Sequence, residues 1–240
     1  ITSKIQKNPD KYLLHLEISF LNKTFSNNLK DEKNNKIFQK NYNPYAIHTN
    51  MFCKSFLGDI ENAKIIILYG NPGLELGDYH DEHENQDYIT GLNEDYIFKS
   101  KGFLPMRDIS KNTGGYIYWK EGNRFKGIIN SFAIKKNITI EESYNFIVKN
   151  ICILQSIGYH SPKTPTFKPS DLPSSLMTKR LLHEYILPKA RNNKLIIFSW
   201  RQSNFWGLEQ QSNVIKRKTN AAISPYFTDY EASSIVDFLI

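Results

Sequence analysis

Four short apolar runs constrain this chain more than any other feature: Lys64–Tyr69 (KIIILY), Ile151–Ile157 (ICILQSI), Lys194–Trp200 (KLIIFSW) and the weaker Val214–Ala221. Each reads as a strand buried on both faces, and the longest of them is far too short to span a bilayer. Segments with helical spacing separate several of the runs. Thr139-Ile-Glu-Glu142 has the form of a capping box, in which the Thr139 hydroxyl caps a helix and Glu142 reaches back to the Thr139 amide. The helix it opens carries Tyr144, Ile147 and Val148 on one face and ends near Asn150. A second helix is read over Ser175–Leu187, with Leu176, Leu181, Leu182, Tyr185 and Ile186 on its apolar side and its end set by Pro188. Thr228-Asp-Tyr-Glu231 is another capping box, opening a last helix through Ile240. Apolar strands alternating with amphipathic helices predict an α/β fold, a three-layer sandwich with a central four-stranded parallel sheet flanked by helices.

The 240 residues suit a single domain, 1–240, with residues 1–59 an N-terminal extension and residues 76–126 an insert. The extension is rich in Asn and Lys. Its piece Tyr12–Leu21 (YLLHLEISFL) fits a helix or a strand, the helix preferred. Lys and Arg exceed Asp and Glu by 31 to 24, a net charge of +7, which favours a polyanionic partner. The abundance of Lys, Asn and Ile also fits an A·T-rich genome, which weakens that inference. Cys53 and Cys152 are too few and too far apart for a cysteine-ligated zinc or iron–sulfur centre. Both thiols are read as reduced and the protein as cytoplasmic, with no membrane partner. No signal peptide is legible, and an opening at Ile1 rather than Met leaves room for a removed leader.

In a parallel sheet, ligands sit beyond the carboxyl ends of the strands, so the residues after each run are the candidate site. The first run leads into Gly70-Asn71-Pro72-Gly73-Leu74, two glycines around Asn-Pro, a turn that exposes backbone to a ligand or serves as an ordinary loop. This segment resembles the first motif of the uracil-DNA glycosylase superfamily, in the Asn-Pro-Gly form of its mismatch-specific and thymine-DNA glycosylase branches. The resemblance continues at Leu154-Gln155-Ser156, where relatives carry a base-reading Asn, at Arg201-Gln202-Ser203 after the third run, and at Asn220-Ala-Ala-Ile-Ser-Pro-Tyr226, where a Ser-Pro loop enters the minor groove. It spans roughly residues 62–240, and only the first motif is sharp. Tyr159-His-Ser161 and Leu172-Pro-Ser-Ser175 are similar to segments of uncharacterised bacterial members of this fold. Two departures stand out. Ala222 occupies the position where the second motif often has a His that stabilises the departing base, and the long insert has no counterpart in the smallest relatives.

The resemblance implies a monofunctional DNA glycosylase that hydrolyses the N-glycosidic bond of a flipped pyrimidine, in repair or in defence against modified foreign DNA, with DNA as partner and no cofactor or metal. Asn71 cannot act as a base, but its amide carbonyl can orient the attacking water. His160, at a neighbouring strand end, is the candidate replacement for the missing motif-two His. Gln155 offers a donor and an acceptor to a pyrimidine edge, or equally to neighbouring backbone. Gly73 stands where strict uracil enzymes carry a Tyr, so the pocket should admit larger 5-substituents. Gly70, Pro72, Ser161, Arg201, Ser224 and Tyr226 complete the expected substrate contacts, Tyr226 as part of a wedge into the duplex. Phe227 reads instead as a hydrophobic staple for the last helix. Lys163, Lys168, Lys179, Arg180 and Lys216-Arg-Lys218 suit phosphates or a solvated surface. Trp200, Phe205 and Trp206 read as packing. Two rival readings stand beside this one: a non-catalytic nucleic-acid-binding or nucleotide-sensing relative, and a metal-dependent phosphoesterase built on His80 and His83 within Asp78–Glu84, a stretch that otherwise reads as a solvated acidic loop.

Overall fold

A computed structural model describes residues 45, 47–49, 51–209, 211, 213–217 and 226–240. Tyr12–Leu21 and Ser224 lie outside these described residues. The sheet has five strands in the order β1-β3-β2-β4-β5, with β1 Phe56–Gly58, β2 Ile65–Tyr69, β3 Ile151–Gln155, β4 Ile196–Ser199 and β5 Val214–Lys216. The four strands from β2 to β5 are parallel and come from the four apolar runs. The expected four-stranded, purely parallel sheet is corrected by β1, which pairs antiparallel with β3 through Phe56↔Leu154 and Gly58↔Cys152. Three residues are too few to show a period. Gly58 is required there: its φ is +103°, and a Cβ would stand 2.4 Å from the Ile151 carbonyl oxygen.

The α-helices of five or more residues are α1 Leu76–His83, α2 Gln86–Tyr96, α3 Lys126–Lys136, α4 Ile140–Asn150, α5 Pro173–Leu181, α6 Leu187–Arg191 and α7 Asp229–Leu239. Alternation along the strands divides the core into two layers. Ile65, Ile67, Ile151, Ile153, Ile196 and Phe198 face one layer with Leu92, Phe103, Trp119, Phe125, Ile128, Ile147 and Ile235. Ile66, Leu68, Cys152, Leu154 and Ile197 face the other, with Leu182, Ile186, Leu187, Ala190 and Trp206. Each fully buried aliphatic or aromatic side chain contributes about 1.5–3 kcal/mol, so strands covered on both faces hold the structure together.

Both capping boxes form: Thr139 Oγ1 accepts from the Glu142 amide at 3.1 Å, and Thr228 Oγ1 from the Glu231 amide at 3.2 Å. Glu231 does double duty, since Arg217 donates to it from beyond β5. Phe227 packs on Trp200, Phe198 and Phe125 just ahead of that cap. The helix expected to stop before Pro188 does not. It widens into a π-turn over Leu182–Ile186 and resumes as α6 with Pro188 in its first turn. The wide turn is where the hydrogen-bond ladder is already broken, so a residue without an N–H fits. Within residues 76–126, read above as an insert, Tyr88, Leu92, Phe103, Leu104, Met106 and Trp119 belong to the main core.

Candidate functional site

A cavity of about 550 Å³ opens at the carboxyl ends of β2, β3 and β4, the place that parallel-sheet topology favours. Each strand delivers one polar residue to it: the turn after β2 brings Asn71, β3 ends on Gln155, and Arg201 follows β4. Tyr69, Tyr118 and Trp119 form an aromatic wall, Trp119 stacked on Trp200 with planes 5° apart.

The orientation of Asn71 is set by its neighbours. Its Nδ2 donates to the Ser161 carbonyl and to Ser161 Oγ, both at 3.1 Å, and Ser161 Oγ in turn donates to the Lys163 carbonyl. A carbonyl can only accept, so the amide nitrogen must face Ser161 and the oxygen must face the other way. Asn71 Oδ1 accepts from Thr164 Oγ1 at 3.2 Å and keeps a second lone pair. Gln155 is 3% exposed, and its Oε1 is buried without a hydrogen-bond partner. An unmade hydrogen bond at a buried amide costs about 1–3 kcal/mol, so this oxygen awaits a donor.

Behind the turn lies a chain of buried charges. Glu82 accepts from Lys54 Nζ at 2.5 Å and the Phe52 amide at 2.8 Å, and lies 2.9 Å from His160 Nε2. Burial alone would raise the Glu82 carboxyl, but Lys54 and His160 outweigh it and hold it at about 2. His160 Nδ1 meets the Gly73 carbonyl at 2.7 Å. With an acceptor at each ring nitrogen, only the imidazolium donates to both. The ring therefore pins Gly73, whose φ of +76° is left-handed, and no nitrogen is left to point at a departing base. His48 bonds the Tyr79 hydroxyl; burial first, then the His160 charge, depress its pKa to about 3.

The cavity brings together Asn71, Pro72, Gly73, Gln155, His160 and Arg201. Gly70 lies just behind it, its carbonyl taken by the Ile157 amide and Ser156 Oγ. Ser161 is fully buried and holds Asn71 from behind. Tyr226 is half exposed, with the Arg124 guanidinium 4.4 Å from its ring centre. The basic clusters divide: Lys163 lines the cavity, whereas Arg180 pairs with Glu184, and Lys216 Nζ donates to the Leu208 carbonyl. His80 and His83 sit on α1 and not on a loop; His80 Nδ1 pairs with Asp81, and His83 Nδ1 with the Tyr79 carbonyl. Among the described residues, no three His, Cys, Asp or Glu side chains are grouped to hold a metal ion, and no helix is long and apolar enough to cross a membrane.

Sequence reasoning missed Tyr69, Tyr118, Trp119, Arg124 and Thr164 as cavity walls and Lys54–Glu82 as the support for His160. Tyr69 ends the first strand, so the strand-end rule could have found it. No sequence signal marks the others, which come from the insert or from an irregular loop. No protein-family model matches this sequence, and no curated protein or solved structure matches it.

Proposed function

We propose that this protein is a DNA glycosylase that hydrolyses the N-glycosidic bond of a flipped pyrimidine, modified or mismatched, leaving an abasic site. The observation that carries the reading is the partnerless, buried Oε1 of Gln155 in one cavity with Asn71 and an aromatic wall. A base extruded from the stack needs both an aromatic face and an edge partner, and these residues offer them.

In this reading the base slides along Tyr69, Tyr118 and Trp119, and Gln155 Oε1 accepts from an N–H of its edge. The second lone pair of Asn71 Oδ1 orients a water toward the anomeric carbon. That carbon loses its bond to the base nitrogen and gains one to the water oxygen; the electron pair of the broken bond leaves with the base, and the proton released by the water balances it. Catalysis here is positioning and electrostatics rather than strong general base chemistry, because a neutral amide has no useful basicity. Lys54, Glu82 and His160 position the turn through the Gly73 carbonyl. Gly73 leaves space beside the base, since a Cβ there would meet nothing within 4 Å.

Mass spectrometry of bases released from duplex and single-stranded DNAs with different pyrimidines tests this. A 5-substituted or mismatched pyrimidine should leave faster than plain uracil, and Asn71→Ala should abolish release while leaving DNA binding nearly intact. A fully active Asn71→Ala variant refutes the assigned role. A second reading, a non-catalytic nucleotide-binding relative, draws on the full engagement of both His160 nitrogens. Tight DNA binding with no base released from any substrate would favour it.

A further inference from the structure

The cavity has a chemical polarity that base recognition does not use. At one end are the buried Lys54, Asp78 and Tyr88, with Lys54 paired to Glu82 behind the cavity wall and Asp78 accepting from the Glu75 amide. At the other end are Arg124 and Arg201, and neither has a carboxylate partner among the described residues. Arg201 lies with its guanidinium 5.5 Å from the ring centre of Tyr69, and its Nε is buried without a hydrogen-bond partner. Arg124 lies 4.5 Å from the ring centre of Tyr118 and donates through Nε to the Tyr118 carbonyl. The two rings are joined, Tyr69 Oη donating to Tyr118 Oη at 3.0 Å, so the Tyr118 proton is left to point elsewhere. Burial raises the Tyr118 phenol, and the charges of Arg124 and Arg201 act against it.

We propose that Arg124, Arg201 and the Tyr118 hydroxyl form a phosphate subsite, so that the cavity takes a nucleoside together with its phosphate ester rather than a base alone. Two guanidiniums, which only donate, and a hydroxyl with a proton to give are suited to a tetrahedral oxyanion. Their aromatic neighbours hold the cations without neutralising them. At about 550 Å³, the cavity lies within the roughly 300–1,000 Å³ of sites that enclose ligands larger than a bare base. The inference rests on the nucleotide-cavity part of the reading above and not on bond cleavage.

Calorimetric titration of the full chain with deoxyuridine 5′-monophosphate and with deoxyuridine tests it. The monophosphate should bind at least about tenfold tighter, and the preference should shrink as salt is raised. Arg124→Gln and Arg201→Gln should each remove most of that preference, and Arg124→Gln should change nucleoside affinity by less than about twofold. Arg124, at the partly exposed rim, keeps the test open should Arg201→Gln disturb the packing on Tyr69. Equal affinity for the two ligands, a preference that survives in the double variant, or no binding of either at millimolar concentration overturns the proposal. Base release without a monophosphate preference sinks the subsite and leaves the glycosylase. A preference lost in both variants, with no base released from any DNA, sinks the glycosylase and leaves the subsite.

Discussion

Replacing Glu82 by Gln removes the buried carboxylate that Lys54 and His160 share. Glu82 is 4% exposed, Lys54 2% and His160 1%. A Gln presents one oxygen and one NH2 where the carboxylate offers two acceptors. Whichever way it turns, a donor faces a donor, at Lys54 and His160 or at the Phe52 amide. The carboxyl is held at about 2 against an ordinary 4.5, burial opposing and Lys54 and His160 prevailing. That lowering corresponds to roughly 3 kcal/mol. Breaking a buried pair from one side typically costs about 3–5 kcal/mol, so the two routes agree. The sign with pH follows from the direction. A folded-state pKa below the unfolded one contributes stability that is complete above about 4.5 and is lost as pH falls toward about 2. Urea unfolding of Glu82→Gln, followed by tryptophan fluorescence, should show a loss of about 3–5 kcal/mol near pH 7. The gap to the parent chain should narrow between about pH 4.5 and 2. Protonation of His48 falls on both chains and largely cancels. A loss under about 1 kcal/mol near neutrality, or a gap equally wide near pH 3, would show that the three groups do not act as a buried ionic unit.

Asp95 should behave in the opposite way. Burial raises its carboxyl to about 6, its Oδ1 is partnerless, and its Oδ2 accepts from the Gly58 amide at 2.8 Å. Because its folded pKa lies above the unfolded 3.8, Asp95 costs stability above about pH 6, and that cost disappears as pH falls through 6 toward 3.8. Asp95→Asn keeps the acceptor for Gly58 and should stabilise the protein by about 1–3 kcal/mol near pH 7. In urea titrations that gain should vanish near pH 4; destabilisation at neutral pH counts against the account. Gly73→Ala should cost only the left-handed backbone term, about 1–2 kcal/mol, or roughly 2–8 °C in thermal unfolding. A larger drop would mean that the added Cβ meets atoms, contrary to the open space around it.

The sequence by itself determined the layered plan and several of its joints. Ile65–Leu68, Ile151–Leu154 and Ile196–Phe198 are continuous apolar runs, and a run buried on both faces needs helices on both sides, so the parallel sheet and the two core layers were legible. Thr139 and Thr228 were legible as caps because a capping box is a contact between residues three apart, written locally in the chain. The turn at Asn71–Gly73 was legible as a site candidate for the same local reason. Only the tertiary structure decided what surrounds it. Thr164, Ser161 and Arg201 meet Asn71 and its turn across 90 or more residues, and Trp119 reaches the wall from the stretch 76–126 that reads as an insert. Whether His160 faces a ligand or a carboxylate depends on Glu82, 78 positions earlier, and on Lys54 beyond it. Strands and caps follow from periodicity and short-range bonding, whereas a cavity, its charge polarity and its unmade hydrogen bonds exist only once distant segments have packed.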